Sequence, residues 1–185
     1  ICIPQGDAIN PYLEVIDGQQ RLTTISLFLT AIYTCLKEHK DEMSEDDEDV
    51  LPSLRKSLRS KNSPNEMKLV PQVQNYNLDD FNHLMNDVAL RKAPATKHSY
   101  YSQRKIARCY NYFLKRIDKE IESLNDESVV DFLLGKYNKV KQAMLVKIEV
   151  SSHSDAYVLF ESLNNRGTPL TAIDLMKNLI MAKAE

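Results

Sequence analysis

Residues 15–24 read Val15-Ile16-Asp17-Gly18-Gln19-Gln20-Arg21-Leu22-Thr23-Thr24 and join a strand-like run to a helical one. Upstream, residues 1–4 and 12–16 are β-prone and flank a segment of turn-forming residues, which predicts a β-hairpin with a long loop. Downstream, apolar side chains recur at helical spacing, at Leu22, Ile25, Leu29, Ile32 and Leu36. The stretch therefore predicts a strand, a tight polar turn and a long helix, with Asp17 as N-cap and Gln20 as its capping-box partner.

Most of the remaining chain has helical periodicity. We predict helices over 78–90, 100–124, 127–134 and 155–163, and another that begins near Thr171. Clean alternation over 143–150 predicts a half-buried strand. The acidic run 38–49 has no apolar anchor, so 38–65 is interpreted as a variable insertion or a mobile loop. The expected fold class is α+β, predominantly helical, with a small sheet.

Composition limits the classes of protein to consider. The 185 residues suit a single domain, and 24 Lys and Arg against 26 Asp and Glu give a net charge of -2. That balance excludes a globally basic nucleic-acid coat. No apolar run approaches the roughly 18 residues of a transmembrane helix, so no membrane partner is expected. Three dispersed cysteines without a CxxC pair argue against a disulfide scaffold and predict a cytoplasmic protein.

The two ends of the chain suggest a longer parent protein. The sequence opens inside a strand-like run and stops inside a helical pattern that has no Gly, Asn or Pro to end it. We therefore expect residues 1–185 to form one domain fragment, truncated at both ends.

The turn at 17–21 has the residue types of a phosphate site. A helix N-terminus offers free N–H groups and partial positive charge, and Gly18 lets a ligand approach the backbone. Gln19 and Gln20 can donate amide hydrogens, Arg21 can clamp a phosphate, and Asp17 tolerates one when Mg²⁺ lies between them. These features predict a Mg-nucleotide or phosphodiester site. The alternative, which the residues alone favour, is an ordinary capping box with a solvated arginine.

Two further segments contain candidate ligand groups. Asn164, Asn165 and Arg166 leave one predicted helix just before the next, where they could contact phosphate or a base edge. The alternative is a helix-ending turn in which Asn and Gly167 adopt left-handed conformations. The helix predicted over 100–124 also has a basic face, made of Arg104, Lys105, Arg108, Lys115, Arg116 and Lys119. A solvated face opposite an apolar stripe is the favoured interpretation of that pattern.

The two polar motifs together resemble a known family. Residues 15–24, with their Asp-Gly-Gln-Gln-Arg core, resemble the signature of the GmrSD-type restriction endonuclease N-terminal domain family. Residues 160–178 resemble that family's later motif, a Phe-x-x-x-Asn-x-Arg-Gly-x-x-Leu stretch followed by Asp-Leu-x-Lys-Asn. The resemblance implies a ParB/sulfiredoxin-like core. It also implies an upstream Gln-Arg-x-Tyr-x-Trp-like segment and a later HNH nuclease domain, neither of which residues 1–185 contain.

The resemblance also implies a function and site residues. It predicts a nucleotide-binding, NTP-hydrolysing sensor of a modification-dependent restriction or phage-defence system, with an NTP and Mg²⁺ as cofactors. Its catalytic residues would be Asp17, Gln19, Gln20 and Arg21, with Asp17 also holding Mg²⁺. Its cofactor-binding residues would be Gly18, Thr23, Asn164, Arg166 and Gly167.

The expected partners are DNA, in modified form, and an HNH-type nuclease domain or subunit, while a homo-oligomer stays open. Nuclease activity is not expected from residues 1–185 alone. The alternative function is a non-catalytic ParB-like DNA-binding or regulatory module, in which residues 155–182 and the basic helix face make the contacts.

Overall fold

The structure, a computed structural model, describes residues 1–61, 63, 65–71, 74–125 and 127–164. These residues contain six α-helices and one antiparallel pair of strands, which confirms the predominantly helical α+β class. The chain divides into two compact units. One comprises Ile1–Gln19 and Met144–Glu185, of which residues 1–19 and 144–164 are described, and the other comprises Gln20–Ala143. Within the described ranges, no helix is both long and apolar enough to cross a membrane.

The first unit is built on the predicted hairpin. Strands β1 (Cys2–Gln5) and β2 (Tyr12–Val15) pair antiparallel, with Cys2 opposite Val15 and Gln5 opposite Tyr12. In the loop, the Asp7 carboxylate accepts hydrogen bonds from the backbone N–H groups of Ile9 (2.9 Å) and Asn10 (2.7 Å). Those bonds form an Asx-type turn, so the polar loop residues determine where the hairpin reverses.

The alternating segment 143–150 does not form the predicted strand. Its backbone meets β1 at one point, where the Cys2 N–H donates to Ile148 O (3.0 Å) and the Val150 N–H donates to Cys2 O (3.1 Å). The alternating apolar residues Met144 and Val146 are 96% and 86% exposed. The prediction of a half-buried strand was therefore wrong, because alternation specifies a strand only where a surface covers its apolar face.

Helix α6 (His153–Asn164) follows in the first unit and confirms the helix predicted over 155–163. Ser152 precedes it and accepts a hydrogen bond from the Asp155 N–H (3.1 Å), while its own hydroxyl donates to the Asp155 carboxylate (2.8 Å). The first of these bonds satisfies one of the backbone N–H groups that the first helical turn leaves without partners.

The second unit is helical throughout. Its helices are α1 (Gln19–Glu38, whose first residue belongs to the other unit), α2 (Val50–Leu58), α3 (Asn77–Asp87), α4 (Lys105–Glu122) and α5 (Val129–Gln142). One core residue set holds them together, with fully or almost fully buried side chains from every helix: Leu27, Ile32, Leu36, Leu54, Leu58, Phe81, Met85, Ile106, Ile117, Val130 and Leu133. Helix α2 lies inside the segment 38–65 and was not predicted from the sequence.

Candidate functional site

The turn that precedes α1 is held to the start of the chain. The backbone N–H groups of Ile16 and Asp17 both donate to the carbonyl oxygen of Ile1, at 3.0 and 3.2 Å. Asp17, Gly18 and Gln19 are half-buried there. The hairpin therefore fixes the backbone of the predicted catalytic segment immediately before the helix begins.

Gly18 adopts a backbone conformation that a side chain would disfavour. Its φ is +97°, in the region that residues with a Cβ rarely occupy. This geometry turns the chain sharply between Asp17 and Gln19. The glycine in the motif is thus required by the turn itself.

Helix α1 begins at Gln19. Gln19 turns its amide back and donates from Nε2 to Val15 O at 2.5 Å. That bond secures the first residue of the helix to the end of β2.

The first turn of α1 has the electrostatics of an anion site. It contains no acidic residue, and Gln20 and Arg21 are exposed on it, while Thr23 is half-buried. The partial positive charge of the helix end is therefore not neutralised from within its own first turn. Of the carboxylates, Asp17 is the one that the sequence places next to this turn, and a single carboxylate together with substrate phosphates is an ordinary way of holding Mg²⁺.

The later motif is only partly described. Helix α6 ends at Asn164, whose backbone is described but whose side chain is not. Arg166 and Gly167 lie outside the described residues, as does the helix expected from Thr171. The convergence of Asn164 and Arg166 on the turn at 17–21 therefore stays a prediction.

The described side chains offer no preformed metal cluster, and Cys35 is not an activated thiol. In the ranges that the structure covers, no three His, Cys, Asp or Glu residues lie close enough to hold a metal ion together. The three cysteines are free, and burial together with the charges of Asp118 and Glu38 raises the pKa of Cys35 to about 12. A thiolate nucleophile at Cys35 is therefore excluded at physiological pH.

Comparison with protein families decides the relationship. The model of the GmrSD restriction endonuclease, N-terminal domain, matches residues 1–181. The chain belongs to this family. No curated protein and no solved structure matches it. The matched range includes both polar motifs, so the resemblance noted from the sequence is confirmed and gives this GmrSD N-terminal domain a restriction and phage-defence context.

One residue of the predicted basic face of α4, Arg104, does not lie on the exposed face in this GmrSD domain. Arg104 turns inward and donates from Nε to Asp80 (2.5 Å), a carboxylate that is 1% exposed. Its guanidinium also lies 4.9 Å from the centre of the Tyr76 ring. Lys105, Arg108 and Lys115 stay exposed opposite the buried stripe. The face is thus arranged as a solvated helix surface with one structural arginine at its start.

A second cationic site was missed by the sequence reasoning. A cleft of about 1000 Å³ lies in the second unit, between the end of α1 and one face of α2. Six cations line it, with Glu48 as the acidic lining residue: Lys37, Lys40, Arg55, Lys56, Arg59 and Lys61. The available signal was the spacing of Arg55 and Arg59, one helical turn apart, within a segment that had been interpreted as a loop.

Proposed function

We propose that this GmrSD N-terminal domain binds a nucleoside triphosphate with Mg²⁺ at the turn 17–21 and hydrolyses it. The observation that carries the proposal is the positive φ of Gly18, which directs the backbone into an α1 first turn that lacks acidic residues. Helix N-termini that follow such glycine turns are natural binding sites for phosphate groups. Membership of a restriction endonuclease family supplies a setting in which nucleotide hydrolysis can be linked to DNA cleavage.

Each residue of the motif has a role that its chemistry suits. The Asp17 carboxylate would hold Mg²⁺ or orient the attacking water, and the N–H groups beyond Gly18 would bind phosphate oxygens. Arg21, exposed on the first turn, would offset charge that develops on the transferred phosphoryl group. Gln20 lies beside it and would position the nucleotide or the water. Gln19 already donates to Val15 O, so its main part would be to hold the turn in shape.

The remaining groups would complete the pocket from other segments. Thr23, half-buried on the first turn, would bind the nucleotide together with Asn164, Arg166 and Gly167 of the later motif. The hydrolysis cycle would act as a sensor step that couples recognition of modified DNA to an HNH-type nuclease domain or subunit. Mg²⁺ would supply charge neutralisation of the phosphates, while these side chains bind and orient the substrate.

Phosphate release with Mg²⁺ and each of ATP, GTP, CTP and UTP tests the proposal in the full-length protein, with and without DNA. Asp17→Asn should lower kcat by roughly 100-fold or more, because it removes the charge that positions the metal or the water. Asp118→Asn is the matched control, since Asp118 is exposed on α4, far along the chain from the motif.

Equal rates for Asp17→Asn and the wild-type protein would overturn the assignment of the chemistry to this turn. Absence of hydrolysis by the wild-type protein with all four nucleotides would favour the non-catalytic DNA-binding module instead. A melting temperature that rises with an NTP and Mg²⁺ would then show binding without turnover.

A further inference from the structure

The cleft between α1 and α2 concentrates positive charge in a protein whose net charge is -2. Lys37 comes from the last turn of α1, and Lys40 from the short turn after it. Arg55, Lys56 and Arg59 come from α2 and its C-cap, and Lys61 follows closely. Two stretches of the chain, 37–40 and 55–61, therefore bring cations to one concave surface.

These cations form no close ion pair with the described residues around them. In the described part of the chain, none of the six lies within 4.0 Å of a carboxylate, although the acidic run 38–49 is adjacent in sequence. Among the residues that the structure describes, the Nε atoms of Arg55 and Arg59 are buried and have no hydrogen-bond partner. A buried donor without a partner is unfavourable, so an anion that accepted these hydrogen bonds would remove that cost.

A structural role for the charges explains only part of the arrangement. Cations in the last turn of a helix interact favourably with its negative end, and Lys37, Arg55 and Lys56 occupy such positions. That effect requires no concave surface. It also leaves the unpartnered Nε atoms of Arg55 and Arg59 unexplained, together with Lys40 and Lys61 outside the helices.

The lining indicates which kind of anion fits. Tyr33 is the aromatic residue of the lining, and it is only 7% exposed, so it offers little ring surface on which a base could stack. Six cations exceed the charge of one triphosphate. They suit a chain of phosphates that is bound through its backbone, in which contacts depend on charge rather than on base sequence.

We propose that this cleft binds the phosphodiester backbone of DNA. It lies at the opposite end of α1 from the turn proposed to bind the nucleotide. Gln20 and Lys37 are 17 positions apart on that helix, which corresponds to ~25 Å. One mononucleotide cannot occupy both places. The cleft is therefore a second phosphate site, and it does not depend on the proposed hydrolysis.

The salt dependence of DNA binding by the full-length protein tests this proposal. The probe is a fluorescent 20-base-pair duplex, titrated by anisotropy at several salt concentrations. The double variant Arg55→Gln and Arg59→Gln should weaken binding at least tenfold at low salt. It should also reduce the slope of log K against log salt by about 1.8, since each lost phosphate contact removes about 0.9.

One further double variant repeats the test at other residues of the cleft, and another serves as the control. Lys56 and Lys61 are exposed, so changing both to Gln preserves the core and should reduce the slope by a similar amount even if the arginine variant folds poorly. Arg108 and Lys115 on the exposed face of α4 provide the matched comparison, and changing both to Gln should leave the slope within about 0.5 of the wild-type value.

Unchanged slopes in both cleft variants, with melting temperatures intact, would overturn the proposal. The proposal would also be overturned if the cleft substitutions weakened the binding of a nucleotide and left duplex binding unchanged. The cleft would then be a nucleotide site. Asp17→Asn separates the two proposals. It should lower kcat by roughly 100-fold or more and keep the salt slope, whereas the cleft variants should keep hydrolysis in the absence of DNA.

Discussion

Two glycines of this domain differ in backbone conformation and in what a side chain would do there. Gly18 has a φ of +97°, whereas Gly135 lies inside α5, and a Cβ added there would meet nothing within 4 Å. Gly18→Ala should therefore destabilise the domain by about 1–2 kcal/mol, because a Cβ is strained at positive φ. Gly135→Ala should stabilise it by about 0.5–1 kcal/mol, because alanine favours a helix interior. Urea unfolding of both variants provides the measurement, and the reverse order would contradict the backbone assignment of the turn.

A network of three charged side chains links helix α4 to helix α5. Glu120 accepts hydrogen bonds from Lys136 of α5 and from Arg116 Nε at 2.9 Å. The Lys136 bond first and the Arg116 bond second lower the pKa of Glu120 from its usual 4.5. Its stabilising contribution is therefore complete above pH 4.5 and is lost as the pH falls through the lowered value.

Glu120→Gln should consequently make unfolding less dependent on pH below 4.5, at the expense of stability near neutral pH. The pairs are partly exposed, so the effect should be small and should shrink in high salt. Thermal melts from pH 3 to 7 measure it. Glu122→Gln, two residues further along the same helix and exposed, should leave the pH profile as it is in the wild-type protein.

Helix α2 joins the core through Leu54, whose side chain is completely buried. Leu54→Ala should cost about 2–5 kcal/mol, since it removes buried methyl groups and leaves a cavity. Ser53→Ala, at an exposed neighbouring position, should change the stability by no more than about 0.5 kcal/mol. Equal effects in chemical denaturation would show that α2 is not part of the folded core.

Local patterns were sufficient for the elements that their own neighbours specify. The hairpin and α1 were predicted because turn formers and apolar spacing act over a few residues. The segment 143–150 has equally clear alternation and still forms no strand, since burial of Met144 depends on surfaces elsewhere in the chain. Helix α2 is short, and the acidic run before it suggested a loop. At the motif, the turn between β2 and α1 was predicted, but the positive φ of Gly18 was not.

At the scale of the whole molecule, average charge conceals how the charges are distributed. The 24 basic and 26 acidic residues nearly cancel, which correctly excluded a globally basic protein. The cleft cations nevertheless come together from the ends of α1 and α2, from the segments that follow them and from α2 itself. No local spacing rule connects Lys37 with Arg59, because their proximity depends on how two helices pack. A local patch of this kind is found only after the fold is known.

The pairing of β1 with the segment around Glu149 affects the order in which the protein forms during its synthesis. The two partners of the Cys2–Ile148 contact are separated by 146 positions, and the whole second unit lies between them. At about 5–20 residues per second, a ribosome needs roughly 7 to 30 seconds to make that interval. The first strand therefore lacks this backbone partner while the intervening helices are synthesised. A chain that ended before Ile148 would contain the helical unit. Its strand β1, next to the turn at 17–21, would lack the backbone bonds to Ile148 and Val150.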